Sequence, residues 1–421
     1  TNYSYENITA FVMFSIIVGI YKKIKEKEMY NFNQSISRIG SNCTKWDRYA
    51  NRYHIEDVIP LWVADMDFTC LAEVKEAIIK RAEHQIYGYT DPSEELYAAI
   101  INWEKRQHGI EVEPDDIVLN TGVVYGFYTL IDMLVQKHEK VIVQNPVYPP
   151  FFNTPYSLNR DVVFNPLCYK NGHYYMNLED FEQKLKEQPE IRMFIMCNPH
   201  NPTGQCHTLE EINSIMEICE RYNVWVVSDE IHADIIMPNQ KHISSYRCDE
   251  RYWNRLILLG SPTKTFNLAG LKISYAIVKN HELQKEFARV AKANGLSSVN
   301  IFGIEALIAA YTYGDQWREE CCSYIYENFL FLKQFIEENM PLVKFDIPEA
   351  TYLAWLDFTA YNVPDDMAER LKYEGHVELQ AGIGFGMVYS KYQRVNVACP
   401  RSTLEEGMKR VKKWLEMNQY L

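Results

Sequence analysis

The pattern that decides the fold lies in residues 193–229, which read MFIMCNPHNPTGQCHTLEEINSIMEICERYNVWVVSD. Two continuous apolar runs, at 193–197 and 224–228, are typical of strands that are buried on both faces. Between them, residues 209–222 place apolar side chains on one face at the spacing of an α-helix. The order strand, helix, strand predicts two parallel strands joined by a helical crossover, because parallel strands need a connection of this length.

The same alternation continues on both sides of this unit. Further strand candidates are IVLN at 117–120, VIVQ at 141–144 and LILL at 256–259. Apolar strands separated by helices predict a mostly parallel sheet with helices on both faces. Ligands bind such sheets outside the carboxyl ends of the strands, so the functional residues are expected just after the apolar runs.

The flanking regions are more helical, and they suggest the domain organisation. We predict an α/β fold in which a large domain, residues 76–315, contains the mostly parallel sheet covered by helices. A smaller α/β domain is expected to form from both termini, residues 29–75 and 316–421. Residues 1–28 are expected to be an N-terminal extension of unknown role.

The predicted extension contains an apolar run at residues 10–21, followed by lysines. This run is shorter than the about 20 apolar residues that a spanning helix needs. A secretory signal would carry positive charge before the apolar run, whereas Glu6 stands there in this chain. An amphipathic or interfacial helix is therefore the favoured interpretation, and a membrane anchor is the alternative.

The composition is that of a soluble globular protein, with 421 residues, of which 47% are hydrophobic and 24% charged. The net charge of −13 at pH 7 argues against nucleic-acid binding, which depends on neutralising phosphates. The ten cysteines are scattered and include no Cys-x-x-Cys pair. Free thiols in a reducing compartment are therefore expected, and the predicted location is cytoplasmic.

Three successive strand ends carry side chains of different chemistry: Asn201, Asp229 and Lys264. An amide, a carboxylate and an amine around one small molecule fit pyridoxal 5'-phosphate (PLP). Its aldehyde needs a lysine, and its ring nitrogen needs a carboxylate in order to remain protonated. Its phenolic oxygen needs a hydrogen-bond donor, and its phosphate is best bound at a helix N-terminus.

A second set of potential ligands follows the strand at 193–197, namely Cys197, His200, Cys206 and His207. Thiolate and imidazole groups bind zinc, but this spacing matches no zinc motif. We therefore predict no metal site and assign these side chains to the protein core.

The sequence also resembles a known family through motifs that occur in a single collinear series. They are LWVADMDF (61–68), YGYTDP (87–92), NTGVVYG (120–126), NPVYPPF (145–151), CNPHNPTG (197–204), VVSDEIHADI (226–235), TKTFNLAGLKIS (263–274), TYLAWLDF (351–358), GIGFG (382–386) and RVNVACPR (394–401). On these motifs the chain is similar to fold-type I PLP-dependent enzymes of the class I/II aminotransferase-like group. Within that group it resembles the MalY/PatB branch, which includes cystathionine β-lyases and cystalysin-type C–S lyases.

The resemblance implies roles around the cofactor. Lys264 would form the Schiff base with PLP and later move the Cα proton of the substrate. Asp229 would pair with the ring nitrogen, while Asn201, with His232 close by, would donate to the phenolic oxygen. The ring of Tyr148 would stack on the cofactor. For His232, an internally satisfied histidine of the core is a nearly equal alternative.

The resemblance also implies how the phosphate is bound. The backbone N–H groups of Val123 and Val124 and the hydroxyl of Ser261 would contact it. Tyr89 would reach the phosphate of the neighbouring subunit. That last role implies a homodimer with its active sites at the interface.

For the substrate, the resemblance implies that Arg394 binds the α-carboxylate with two hydrogen bonds, a geometry that lysine does not reproduce. Ala64 and Asp65 would line the same pocket. The expected substrate is a small sulfur-containing amino acid such as cystathionine or cysteine. The implied reaction is a β-elimination that yields a thiol, pyruvate and ammonia.

Two other functions stay open. Transamination to a keto acid uses the same residues, so the preference for elimination comes from the resemblance to the lyase branch. The other is a PLP-fold protein that has lost catalysis. Such a protein would be expected to lack Lys264, Asp229 or Arg394, and all three are present.

Overall fold

The structure is a computed structural model that describes residues 30–296 and 298–421. The predicted extension at 1–28, with its apolar run, lies outside the described residues. In the described part of the chain, no helix combines the length and the apolar character that crossing a bilayer requires.

The main sheet of the described residues has seven strands, in the order β2-β10-β9-β8-β7-β3-β4. The strands of the described chain are β1 (Ile59–Pro60), β2 (Ile117–Asn120), β3 (Lys140–Val143), β4 (Asp161–Phe164), β5 (Cys168–Lys170), β6 (His173–Tyr175), β7 (Ile191–Cys197), β8 (Trp225–Asp229), β9 (Leu256–Gly260), β10 (Ser274–Ile277), β11 (Leu353–Asp357), β12 (Val377–Glu378), β13 (Gln380–Ala381) and β14 (Tyr392–Asn396). Within the main sheet, β10 runs opposite to the other six strands, which share one direction. The predicted mostly parallel sheet is therefore confirmed, with the five predicted strands as β2, β3, β7, β8 and β9.

Helices pack on both faces of this sheet. The α-helices of the described chain are α1 (Ala72–Glu83), α2 (Glu94–Trp103), α3 (Val123–Leu134), α4 (Pro150–Ser157), α5 (Leu178–Glu187), α6 (Leu209–Arg221), α7 (His281–Ala293), α8 (Ile301–Tyr313), α9 (Asp315–Asn339), α10 (Met367–Glu374) and α11 (Arg401–Met417). Helix α6 is the predicted crossover between β7 and β8. It begins with a capping box, in which Thr208 and Glu211 bond each other's backbone N–H.

Burial on both faces explains the continuous apolar runs. In β7, Met193 and Ile195 join the core that contains α3, whereas Phe194 and Met196 join the core that contains α6. Successive side chains of a strand point to opposite faces, so both sets are buried. Each apolar side chain of this size stabilises the fold by about 1.5–3 kcal/mol when it leaves water.

The C-terminal part contains a second, antiparallel sheet in the order β11-β14-β13. Close to it, β1 pairs in parallel with β12, which joins the N-terminal and C-terminal segments. This pairing agrees with a smaller unit built from both termini, while the domain boundaries themselves stay predictions.

Candidate active site

A cavity of about 360 Å³ lies at the carboxyl ends of the central strands. Strands β7 and β8 end side by side, where Cys197 and Asp229 are register partners. The segments after β7 and β9 carry Asn201 and Lys264 to the same cavity. The predicted amide, carboxylate and amine are thus brought together, because parallel strands end at one edge of their sheet.

Lys264 extends into the cavity from the segment after β9. Its Nζ donates a hydrogen bond of 2.5 Å to the carbonyl oxygen of Ala64. Burial, together with the positive charge of Arg394, lowers the pKa of this amine to about 8. A minor fraction of the amine, roughly a tenth, is therefore neutral at pH 7, and a nucleophile or a general base requires this neutral form.

Asp229 ends β8 and is only 4% exposed. Its Oδ1 accepts a hydrogen bond of 3.1 Å from the N–H of Ile231. Burial raises the pKa of the carboxyl to about 7, and the hydrogen bond and the charge of Lys264 offset only part of this effect. Among the described residues, Asp229 has no ion-pair partner. The site is therefore suited to a cationic group of a ligand.

A tight loop after β7 holds Asn201. Gly204 closes this loop with φ +71°, and a Cβ there would lie 2.3 Å from Pro348 Cβ, so only glycine fits. The Oδ1 of Asn201 accepts a hydrogen bond of 3.0 Å from Arg394 Nη1. The amide oxygen faces Arg394, and the amide nitrogen, which is the only donor of this side chain, can donate to a ligand.

Tyr148 and His232 line the cavity as well. The N–H of Tyr148 donates to the carbonyl of Asn201 at 3.1 Å. His232 Nδ1 is buried and has no hydrogen-bond partner in the described residues. Burial, aided by Lys264 and Arg394, keeps the pKa of His232 well below its usual value, so the imidazole is neutral. A buried nitrogen without a partner indicates a ligand contact more than a satisfied core position.

Arg394 reaches the cavity from β14 and has only neutral partners in the described residues. Its Nη1 bonds Asn201, and its Nη2 donates to the carbonyl of Trp62 at 2.9 Å. Its Nε is buried without an acceptor, and the guanidinium carbon lies 5.0 Å from the centroid of the Phe385 ring. Burial lowers its pKa to about 10, so the group stays cationic at neutral pH. A buried cation of this kind lacks an anion.

The N-terminus of α3 forms another part of the cavity wall. Gly122 precedes the helix and offers no side-chain cap, so the first N–H groups, including those of Val123 and Val124, have no intrahelical acceptor. Thr121 and Lys272 also line the cavity. Free N–H groups, a hydroxyl and an ammonium group together suit an anion such as a phosphate.

Ser261 lies behind the cavity wall. Its hydroxyl donates to the carbonyl of Ile273 at 2.7 Å and lies 2.7 Å from the hydroxyl of Thr263. Thr263 lines the cavity instead. A phosphate contact by Ser261 would require these hydrogen bonds to be exchanged, and it stays a prediction.

The remaining predicted residues occupy different places. Ala64 lines the cavity, but the Asp65 carboxylate faces Arg38 and forms an ion pair of 2.8 Å with it. The side chain of Tyr89 is fully exposed and lies outside the cavity wall of its own chain. Its predicted role concerns the neighbouring subunit and stays a prediction.

The cysteine and histidine set near β7 forms buried polar contacts. His200 Nε2 lies 3.1 Å from the carbonyl of Gln144, and its Nδ1 lies 3.1 Å from the hydroxyl of Thr203. Burial lowers the pKa of His200 to about 3. Across the described ranges, no group of three or more His, Cys, Asp or Glu side chains is arranged to hold a metal ion.

Comparison with known proteins identifies the family. The family model described as aminotransferase class I and II matches residues 56–411. The chain belongs to this family. Cystathionine beta-lyase PatB of Bacillus subtilis is 35% identical over 383 residues, which cover 91% of this chain and 99% of that protein.

Two solved structures are similar over nearly their whole length. Cystalysin from Treponema denticola, which contains a PLP cofactor, has a TM-score of 0.89 at 31% identity and covers 92% of this chain and 99% of its own. A PLP-bound protein from Clostridium difficile 630, described as a candidate aminotransferase, has a TM-score of 0.88 at 37% identity, with coverages of 91% and 99%. The predicted resemblance to fold-type I class I/II proteins of the MalY/PatB branch is confirmed.

As expected for a member of this family, the cavity fits PLP. A protonated ring nitrogen would supply the cation that Asp229 lacks, and a phenolic oxygen would give His232 and Asn201 a partner. A phosphate would accept hydrogen bonds from the free N–H groups at the start of α3. The lysine with a lowered pKa lies in the same cavity.

Sequence reasoning missed Thr121, Lys272 and Trp62 as cavity residues. All three stand inside quoted motifs, Thr121 in NTGVVYG, Lys272 in TKTFNLAGLKIS and Trp62 in LWVADMDF, so the motifs were a signal for each. The backbone carbonyl of Trp62 accepts a hydrogen bond from Arg394, and no sequence pattern predicts a hydrogen bond to a backbone carbonyl of this kind.

Proposed function

We propose that this protein is a PLP-dependent C–S β-lyase that cleaves cystathionine or cysteine-type amino acids to a thiol, pyruvate and ammonia. The observation that carries the proposal is that Lys264, Asp229 and Arg394 line one cavity, each without the partner that a bound cofactor or amino acid would provide. The relative PatB is named a cystathionine beta-lyase, and cystalysin contains PLP. The predicted enzyme class, a PLP-dependent carbon–sulfur lyase, is confirmed, whereas the individual substrate and the residue roles are proposals.

The residues that would hold the cofactor surround the cavity. Asp229 would bind the ring nitrogen, Asn201 and His232 the phenolic oxygen, and the N–H groups of Val123 and Val124 the phosphate, with Lys272 as counter-charge. Bound PLP supplies an electron sink that acidifies the Cα–H bond of an amino acid. Tyr148 lines the cavity beside these groups and would restrict the ring from one side.

Arg394 would select and orient the substrate. An α-carboxylate can accept two parallel hydrogen bonds from the guanidinium, which include the unused Nε. Asn201 Oδ1 and Trp62 O are neutral acceptors, which bind a guanidinium less strongly than a carboxylate does, so a carboxylate can replace them. Fixing the carboxylate in this way sets the position of Cα relative to Lys264.

Lys264 would move the proton. With a pKa of about 8, a fraction of its Nζ is neutral at pH 7 and can accept the proton from Cα. The Ala64 carbonyl, which already accepts a hydrogen bond from Nζ, would hold the resulting ammonium group. Loss of the thiolate from Cβ and uptake of one water molecule complete the balance to thiol, pyruvate and ammonia.

Transamination is the second candidate, because the similar protein from Clostridium difficile is described as a candidate aminotransferase. It would use the same binding groups. It differs in where Lys264 returns the proton and in keeping the Cβ–S bond intact.

We also propose a homodimer that resides in the cytoplasm and takes part in amino-acid metabolism. Ile86, Tyr87 and Tyr89 are exposed in the single chain, and a second copy would cover them. All ten cysteines are free thiols, which suits a reducing compartment. Sedimentation of the purified protein tests whether it is a dimer. A comparison of PLP affinity between Tyr89→Ala and wild type tests whether Tyr89 contributes to the site of the neighbouring subunit.

Incubation of the PLP-loaded protein with L-cystathionine tests the function. We expect pyruvate and free thiol in equal amounts, and neither product from Lys264→Ala. Transfer of the amino group to an added keto acid without thiol release would favour transamination. The proposal would be overturned if protein that binds PLP through Lys264 carried out neither reaction.

A further inference from the structure

A buried carboxylate lies behind Lys264, outside the cavity wall. Asp234 is 4% exposed and accepts three side-chain hydrogen bonds. Its Oδ1 accepts from Trp103 Nε1 and from His108 Nε2, both at 3.0 Å. Its Oδ2 accepts from the hydroxyl of Thr265 at 2.8 Å. None of these four side chains lines the active-site cavity.

The chain positions of these residues link the carboxylate to the site. Asp234 lies in the turn that follows Asp229, and Thr265 directly follows Lys264. Trp103 ends α2, and His108 ends the π-helical segment Glu104–His108 that directly continues that helix. The Asp234 carboxylate therefore connects three parts of the chain by hydrogen bonds. They are the turn after Asp229, the segment that carries Lys264, and the C-terminal end of α2.

The lysine segment is fixed on two sides. Asn267 Nδ2 donates to the carbonyls of Met66 and Phe68, both at 2.9 Å, and its Oδ1 accepts from Met66 N–H at 3.0 Å. Thr265 bonds Asp234 on the other side, and its side chain is 1% exposed. Lys264 therefore lies beside one anchor, Thr265, and close to a second, Asn267.

Asp234 is suited to act as a charged anchor. Burial opposes its ionisation, but the hydrogen bond and charge of His108, with the charge of Arg318 on α9, hold the pKa of Asp234 below its usual value. Hydrogen bonds to a charged acceptor are stronger than neutral ones. The Thr265 hydroxyl is thus held more firmly than a bond to a neutral acceptor would hold it.

We propose that Asp234 is a positioning residue that acts through the hydroxyl of Thr265 to hold Lys264 in its reactive orientation. This inference rests on the proposed role of Lys264 as the cofactor lysine. Small displacements of a reacting group have large effects on the reaction rate. Arg394, which would bind the substrate, lies on a different sheet, so substrate binding does not depend on this anchor.

Thr265→Val tests the proposal, because it keeps the shape of the side chain and removes only the hydroxyl. We expect kcat to fall by about tenfold or more, with KM for L-cystathionine changed by less than about twofold. In the PLP-free protein, we expect slower borohydride trapping of added PLP on Lys264, measured by peptide mass spectrometry. Thr265→Ser restores the hydroxyl and should restore both measurements.

Thr129→Val is the matched control. Thr129 on α3 is fully buried, and its hydroxyl has no hydrogen-bond partner among the described residues. The change to valine has the same size, and kcat and the trapping rate should stay within about twofold of wild type. If Thr265→Val matches Thr129→Val, or if Thr265→Ser behaves like Thr265→Val, the positioning role is wrong.

The trapping experiment separates this inference from the proposed function. Wild-type protein that does not form a trapped product on Lys264 would contradict the proposed function itself. Normal trapping in wild type, with equal rates in Thr265→Val, would contradict only the role of Asp234.

Discussion

The active-site cavity and a second cavity both contain carboxylate and aromatic side chains, but their carboxylates differ in burial. The second cavity, about 260 Å³, lies between the β5–β6 hairpin and strands β11 and β14. There Asp346 accepts a hydrogen bond of 2.5 Å from the hydroxyl of Tyr169, and Asp357 accepts one of 2.8 Å from Thr359 N–H. None of the three carboxylates has an ion-pair partner among the described residues. Asp229 in the active-site cavity is buried, however, whereas Asp346 is exposed and Asp357 is half-buried.

The difference shows that a buried charge without a partner marks the functional cavity better than size or aromatic walls do. Burial raises the pKa of Asp229 to about 7 and lowers that of Arg394 to about 10. An unpaired buried charge costs several kcal/mol, so such groups indicate a ligand that provides the missing charge. Variants in the two cavities should therefore differ sharply in their effects.

Removal of the cavity amine should have the largest effect. Lys264→Ala should lower lyase kcat by about 10³-fold or more, because both the Schiff-base amine and the proton acceptor are lost. The absorbance of lysine-bound PLP should also disappear. Lys344→Ala in the second cavity is the control and should keep both activity and absorbance. Retained absorbance in Lys264→Ala would contradict the assignment of the lysine.

The ionisation of the buried Asp229 carboxyl should make the free energy of unfolding depend on pH. Its pKa is about 7 in the folded PLP-free protein but near 4 in the unfolded chain, so ionisation costs stability as pH rises from about 4 to 7. Asp229→Asn does not titrate. Relative to wild type, it should gain about 2–4 kcal/mol in the free energy of unfolding between pH 4 and pH 8. Urea unfolding of both PLP-free proteins measures this, and a difference independent of pH would contradict it.

The geometry of the cavity cation should matter more than its charge. Arg394→Lys keeps a positive charge but cannot form the two parallel hydrogen bonds to a carboxylate. We expect kcat/KM for L-cystathionine to fall by about a hundredfold, which corresponds to roughly 2–3 kcal/mol. Arg410→Lys on α11 is the matched surface control. Equal kcat/KM in Arg394→Lys and wild type would show that the carboxylate binds elsewhere.

The smallest effect is expected in the second cavity. Tyr169→Phe removes the hydroxyl that bonds Asp346, but this tyrosine is 50% exposed, so water can replace the lost partner. We expect the free energy of unfolding to change by less than about 1 kcal/mol and kcat/KM by less than about twofold. A tenfold loss of activity would mean that the second cavity takes part in the reaction and that the contrast between the two cavities is wrong.

Sequence patterns predicted the part of the fold that depends on local order along the chain. Strands β7 and β8 are continuous apolar runs on either side of an amphipathic helix, and the structure confirms them together with their parallel arrangement. Strand β10 (Ser274–Ile277) was not predicted. Its place between β9 and β2 depends on long-range pairing that no local pattern encodes.

The residues of the active-site cavity also fall into those that the sequence could place and those that it could not. Asn201, Asp229 and Lys264 could be placed together from sequence, because each follows a strand that ends at the same edge. The outward ion pair of Asp65 and the hydrogen bonds of Ser261 within its loop could not be foreseen, since neither side chain's direction follows from its position in a motif.

The order of apolar runs and the residue types after them were enough to predict an α/β fold and a PLP-type site, and to propose Lys264 and Asp229 as its amine and carboxylate. Tertiary structure alone decided that the carbonyl of Ala64 accepts from Lys264, that the carbonyl of Trp62 accepts from Arg394, and that Asp234 lies behind the lysine. The physical reason is that strand and helix patterns depend on neighbouring residues. The burial of charges and the direction of hydrogen bonds instead depend on segments that are hundreds of residues apart in the chain.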